Sequence, residues 1–145
     1  MREQTELSEE YAEIAAKVIR ENEDLEWLQE TEVSIGYMSS NKRKRKGGKA
    51  VFADCRKVQD RDKGFIPFDF LITVYDPNVC GFSEEQMKIL LYHELLHVGV
   101  EERDDGSLRF YIVPHDIEDF SAVIERYGEE WAHVEPDYED ETEGE

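Results

Sequence analysis

Apolar positions along the chain change their period several times, and each change marks an element. Over 8–23, Tyr11, Ile14, Ala15, Val18 and Ile19 recur at helical spacing between charged residues. This predicts an amphipathic helix with Ser8 as its N-cap. Val33, Ile35 and Tyr37 then alternate, so 32–40 reads as a strand. The segment 41–49, NKRKRKGGK, is a basic loop with two glycines. Two further strands are expected at 50–58 and 68–76, the second the most apolar of the three. Pro77 and Gly81 punctuate the connection to the next element.

Residues 83–98, SEEQMKILLYHELLHV, carry the strongest helix signal. Ser83 and Gln86 have the spacing of a capping box, and Glu84 and Glu85 suit the positive end of the helix dipole. Beyond Lys88 the segment is apolar nearly all round, the mark of a buried central helix, and Gly99 is expected to end it. DDGS at 104–107 predicts a turn and 108–113 a strand after it. A last helix is expected from about Asp116 to Tyr127, with Ile117, Phe120, Ile124 and Tyr127 as its apolar stripe and Gly128 after it. No internal repeat is visible. The order of helix, three strands, buried helix, strand hairpin and helix predicts an α+β fold, a small twisted sheet backed by the central helix.

The 145 residues suffice for one domain with a real core. No apolar run is long enough to span a bilayer, and the polar start MREQTELSEEYAEI is no signal segment. A cytoplasmic protein without a membrane partner is therefore expected. Cys55 and Cys80 lie far apart and outside any CxxC pattern, so both are expected as buried thiols. The net charge is −19. Seven of the last 11 residues are acidic, which divides the chain into a domain over 1–130 and an acidic, disordered tail over 131–145. So acidic a chain is not drawn to nucleic acid by its overall field.

YHELLHVG at 92–99 contains His93, Glu94 and His97 as His-Glu-x-x-His. On a helix the two histidines share a face, about 40° apart, and can turn their imidazoles to one ion. Imidazole nitrogen suits zinc, and Glu94, about 100° further round, is placed to meet a water rather than to ligate. The competing reading is a core helix whose histidines bond to backbone. It leaves a glutamate unexplained among leucines, where burial of polar groups without partners is costly. A catalytic zinc needs a third protein ligand and an open position. The metzincin extension would require glycine at Val100 and histidine at Arg103, so it is excluded. His115, Asp116, Glu118 and Asp119 remain. His115 is favoured, because after Pro114 and before a capping Asp116 it need not obey helical geometry. Glu118 is the alternative third ligand, since a downstream helical glutamate is the other common zincin solution. His133, near the tail, reads as exposed.

FDFLITVYDPNVCGFSEEQMKILLYHELLHV followed by PHDIEDFSAVIERYG resembles the phage metallopeptidases, small zincin-like proteins of phages and prophages. The likeness covers roughly 7–130. Its most specific parts are the His-Glu-x-x-His helix and His115, Asp116 and Phe120. The second part is also distantly similar to the His-Gly-x-x-Phe/Trp segment of SprT-like peptidases, where the histidine is the third zinc ligand. This chain has Asp116 in place of that glycine and lacks their zinc ribbon. The resemblance implies a minimal zincin-like fold and supports His115.

The expectation is therefore a zinc-dependent peptidase acting on a peptide or protein substrate. His93, His97 and His115 would hold Zn²⁺, and Glu94 would act as general base on a metal-activated water. The apolar strand 68–76 is expected as the exposed edge on which a substrate pairs. Tyr92, Tyr111 and Arg109 are candidates for stabilising the oxyanion. The alternative is a non-catalytic zincin scaffold that contacts nucleic acid or protein through the basic loop 42–49, which otherwise reads as a solvated hairpin loop.

Overall fold

A computed structural model describes residues 4–115. The last helix, the acidic tail, His133 and the candidates Asp116, Glu118 and Asp119 lie outside them.

The first helix forms as its pattern requires. Strand β1 (Thr5–Leu7) leads into α1 (Glu9–Glu21), where the Ser8 side chain accepts from the Tyr11 amide and caps the first turn. Ala15 and Val18 are buried on its inner face. A 3₁₀ segment over Glu23–Gln29 follows and buries Leu25 and Leu28. Strand β2 is Ile35–Ser40, and the basic loop is a small hairpin of β3 (Arg45–Lys46) and β4 (Lys49–Ala50). Gly47 and Gly48 take positive φ at its turn, which glycine adopts without steric cost. Next come β5 (Ala53–Lys57), β6 (Phe70–Tyr75), a single turn α2 (Asp76–Val79) and α3 (Glu84–Leu95). A hairpin of β7 (Val98–Glu102) and β8 (Leu108–Ile112) closes the described chain.

The architecture is α+β with a small mixed sheet. Its order is β1-β2-β6-β5, with β2 parallel to β6 and the outer pairs antiparallel. Phe70, Ile72 and Val74 alternate along β6 and join the core with α1 and α3. Leu71, on the opposite face, is also buried and lies with Phe68 against Gly36, where a methyl group would clash with both. On α3, Met87, Ile89, Leu90, Leu91, Tyr92 and Leu95 are all buried. Leu91 and Leu95 are fully enclosed, worth about 1.5–3 kcal/mol each. Both halves of the Ser83–Gln86 capping box are present.

Three expectations need correction. The strand 68–76 is not an edge: β6 lies between β2 and β5, and its near-continuous apolar run is what burial on both faces demands. Among the described residues, the sheet edge beside α3 is β5. Bonds from Tyr75 N–H to Phe52 O and from Val58 N–H to Asp69 O frame the β5–β6 ladder. By antiparallel alternation, Asp54 and Arg56 bond inward, and the backbone groups of Ala53, Cys55 and Lys57 face outward. Strand β8 packs near β5 without joining its sheet. Secondly, α3 ends at Leu95 and not at Val98, and Gly99 is inside a strand. Val98 pairs with Ile112 and Val100 with Phe110, so sheet pairing takes over where helical bonding would continue. Thirdly, Cys55 is partly buried but Cys80 is exposed, because it follows α2 at a surface turn.

Gly99 pairs with Tyr111, whose ring covers it so closely that a β-carbon there would stand 2.5 Å from Cε2. Gly99→Ala should therefore destabilise the protein by about 1–3 kcal/mol, measured by urea denaturation, as overpacking does. In a Tyr111→Ala background the same change should cost far less. Equal costs in the two backgrounds would show that the ring is not the obstacle.

Candidate metal centre

Helix α3 tightens as it ends. Leu96 N–H reaches both Tyr92 O and His93 O, and His97 N–H bonds to Glu94 O, a 3₁₀-type closure. His97 thus stands just beyond the helix but still one turn above His93. Their ring centroids are 5.2 Å apart.

The β7–β8 hairpin supplies the third histidine. Its loop closes through Arg103 N–H to Ser107 O and Gly106 N–H to Arg103 O, with Gly106 at φ 88°. Only a residue at ease with positive φ fits there. The register then runs from Glu102 opposite Leu108 to Val98 opposite Ile112. One step further, Val113 N–H donates to His97 O at 2.8 Å. The same residue's carbonyl lies 2.7 Å from His97 Nδ1. Two residues on, His115 arrives beside the helix end. Its ring centroid is 5.0 Å from that of His93 and 4.6 Å from that of His97, and the Nε2 atoms of His115 and His93 are 3.0 Å apart.

One nitrogen from each of the three rings lies within 4.8 Å of the others, a group able to hold a metal ion. Two observations fit that use. Ligands on a tetrahedral ion with bonds of 2.0–2.1 Å stand about 3.3 Å apart, close to the separation of the His93 and His115 nitrogens. Donation from His97 Nδ1–H to the Val113 carbonyl leaves the Nε2 lone pair for an ion, the orienting contact that metal-binding histidines usually make. Three neutral imidazoles suit zinc, copper, iron or nickel, and not magnesium or calcium.

Glu94 is buried, 4 % exposed, between apolar positions of α3. Its charge reaches the Cys55 thiol on β5. Burial first, then Glu94, then Asp54 push that thiol well above its ordinary pKa. Each oxyanion candidate makes contacts elsewhere in the fold. The Tyr92 hydroxyl is turned away to Asp24, tying α3 to the 3₁₀ segment. Arg109 pairs with Glu101 at 2.7 Å and stacks on Tyr111, which in turn covers Gly99. Residue patterns offered no sign of the Val113 carbonyl or of Cys55: the first is backbone, and the second is a neighbour only through the sheet.

A family model described as Putative phage metallopeptidase matches residues 3–140. No curated protein and no solved structure matches the chain.

If His115 is a ligand, His115→Ala should weaken metal binding by more than about 100-fold, since two imidazoles remain where three are normal. Competition against a chromophoric chelator measures this, with Glu118→Ala alongside as the alternative. Tight binding by His115→Ala and weak binding by Glu118→Ala would transfer the third position to Glu118. Tight binding by both would leave Asp116 or Asp119.

Proposed function

Because the chain belongs to the phage metallopeptidase family, we propose that it is a zinc-dependent peptidase with a zincin-like active site. The observation that carries this reading is the convergence of His93, His97 and His115, from a helix end and a separate hairpin, within 4.8 Å. These three residues would hold the ion, and Glu94 would handle the proton. When bound, zinc supplies Lewis acidity toward a peptide carbonyl and toward water.

The chain's own residues account for the rest. A Glu94 carboxylate oxygen accepts the proton of the attacking water as its oxygen bonds to the scissile carbonyl carbon. As the C–N bond breaks, the same oxygen delivers that proton to the leaving nitrogen. Burying a carboxylate costs several kcal/mol before compensation, and a cation held by the neighbouring imidazoles offsets that cost. The substrate lies in extended form along β5, where the outward N–H and C=O groups of Ala53, Cys55 and Lys57 can pair with it. Helix α3, which carries Glu94, packs against β5. No described helix is long and apolar enough to cross a membrane, and a cytoplasmic location is part of the proposal.

Glu94→Gln tests the mechanism. The amide cannot accept the proton, so kcat should fall by at least about 10²-fold while zinc stoichiometry stays at one per chain. Peptide turnover and metal content are to be read on the same preparation. Near-wild-type turnover with one zinc bound would remove Glu94 from the chemistry.

A further inference from the structure

Charge is distributed very unevenly along this chain. Ten of its 17 basic residues lie between Lys42 and Lys63, with three acidic ones among them. That segment carries +7, and the rest of the chain −26. It folds into one continuous piece, the β3–β4 hairpin, the edge strand β5 and the start of the loop that follows.

Two of its cations serve the fold. Lys44 pairs with Asp54 at 2.7 Å at the hairpin base, and Lys63 pairs with Asp69 at 3.1 Å. Asn78 anchors the hairpin by donating to the carbonyls of Lys44 and Val51. Others do not serve it in this way. Lys46, Lys49, Arg56, Lys57 and Arg61 are exposed, and none has an acidic partner within 4 Å among the described residues. Holding so many like charges on one strand and hairpin costs self-repulsion. A ligand of opposite charge relieves it.

We infer that the β5 edge and its hairpin select an acidic peptide segment, so that the substrate class of this site is a polypeptide with several Asp or Glu residues beside the bond to be cut. The inference rests on the peptidase reading. Two kinds of complementarity coincide on the strand. The outward backbone groups of Ala53, Cys55 and Lys57 match an extended main chain, and Arg56 and Lys57 match carboxylates on it. Nucleic acid is served less well. A phosphate backbone has no use for a ladder of alternating N–H and C=O groups. Phe65, 89 % exposed, is on the following loop and not on the strand or hairpin, where bases would stack. The strongly negative remainder of the chain repels a long polyanion, whereas a short acidic segment fits within the positive field.

The test uses the zinc-loaded full chain and three fluorescein-labelled decapeptides that differ only in four positions, all Glu, all Gln or all Lys. Binding is read by fluorescence anisotropy on the Glu94→Gln protein, and kcat/KM on the wild type. The Glu peptide should bind at least ten-fold tighter than the Gln peptide at low salt, and the gap should close as salt rises. Replacing Lys46, Lys49, Arg56 and Lys57 with Gln should abolish the preference without changing Tm or zinc content. Equal binding of the three peptides, or a preference that survives the four substitutions, would overturn the inference. So would a ten-nucleotide single strand that binds tighter than the Glu peptide, which would give the surface to nucleic acid. The kinetic arm separates the two claims. Acid-selective binding without cleavage by the wild type sinks the peptidase reading and leaves the surface intact. Cleavage with no charge preference does the reverse.

Discussion

The candidate site depends on one backbone alignment, that of Val113 with His97. Val113 N–H donates to the His97 carbonyl and Val113 C=O meets His97 Nδ1. This fixes the His97 ring and tautomer, and it sets where the chain goes next, so that His115 lands beside His93 two residues later. A slip of one residue in the β7–β8 pairing would turn every side chain of β8 to the other face and carry His115 away. The register is held at the far end by the Gly106 turn and near the site by the Gly99–Tyr111 pair, where the ring needs the missing side chain.

The rest of the fold serves to hold α3 still. Its inner surface is buried against the β6 residues Phe70, Ile72 and Val74 and against α1. Tyr92 bonds to Asp24, and Lys88 forms an ion pair with Glu21 at 3.3 Å. The apolar contacts supply most of the energy, because exposed ion pairs contribute at most about 1 kcal/mol. Polar contacts such as Tyr92–Asp24 fix the rotation of the helix, and with it the directions of His93 and Glu94. Together they hold the helix in one position and one rotation.

Much of this was legible in particular residues. Ser8, Ser83 and Gln86 announced two helix starts through capping, which is local chemistry and survives any tertiary context. His93, Glu94 and His97 could be read because the spacing of one helix turn brings them near each other in any correct fold. The pattern carries α3 three residues too far, because Val98 and Val100 fit a helix pattern and a strand pattern equally, and only the partner strand decides. The central position of β6 is not legible for a different reason. The pattern FLITVY states that both faces are buried, but not which strands flank it. The three-residue β1 and the 3₁₀ segment at 23–29 carry too little periodicity to be seen at all. The charge segregation was fully present in the sequence as a basic run. What the run lines, the outer strand of the described sheet beside the helix of the buried glutamate, is a property of the sheet order alone.

The central claim is that an ion sits among the three imidazoles with a coordination position left for the reaction. X-ray absorption at the zinc edge of the metal-loaded protein tests it directly. The account predicts a first shell of four light atoms at about 2.0–2.1 Å, with the multiple-scattering signature of three imidazoles. Two imidazoles, or a sulfur at about 2.3 Å, would contradict it and point to Cys55, or to a site elsewhere in the chain.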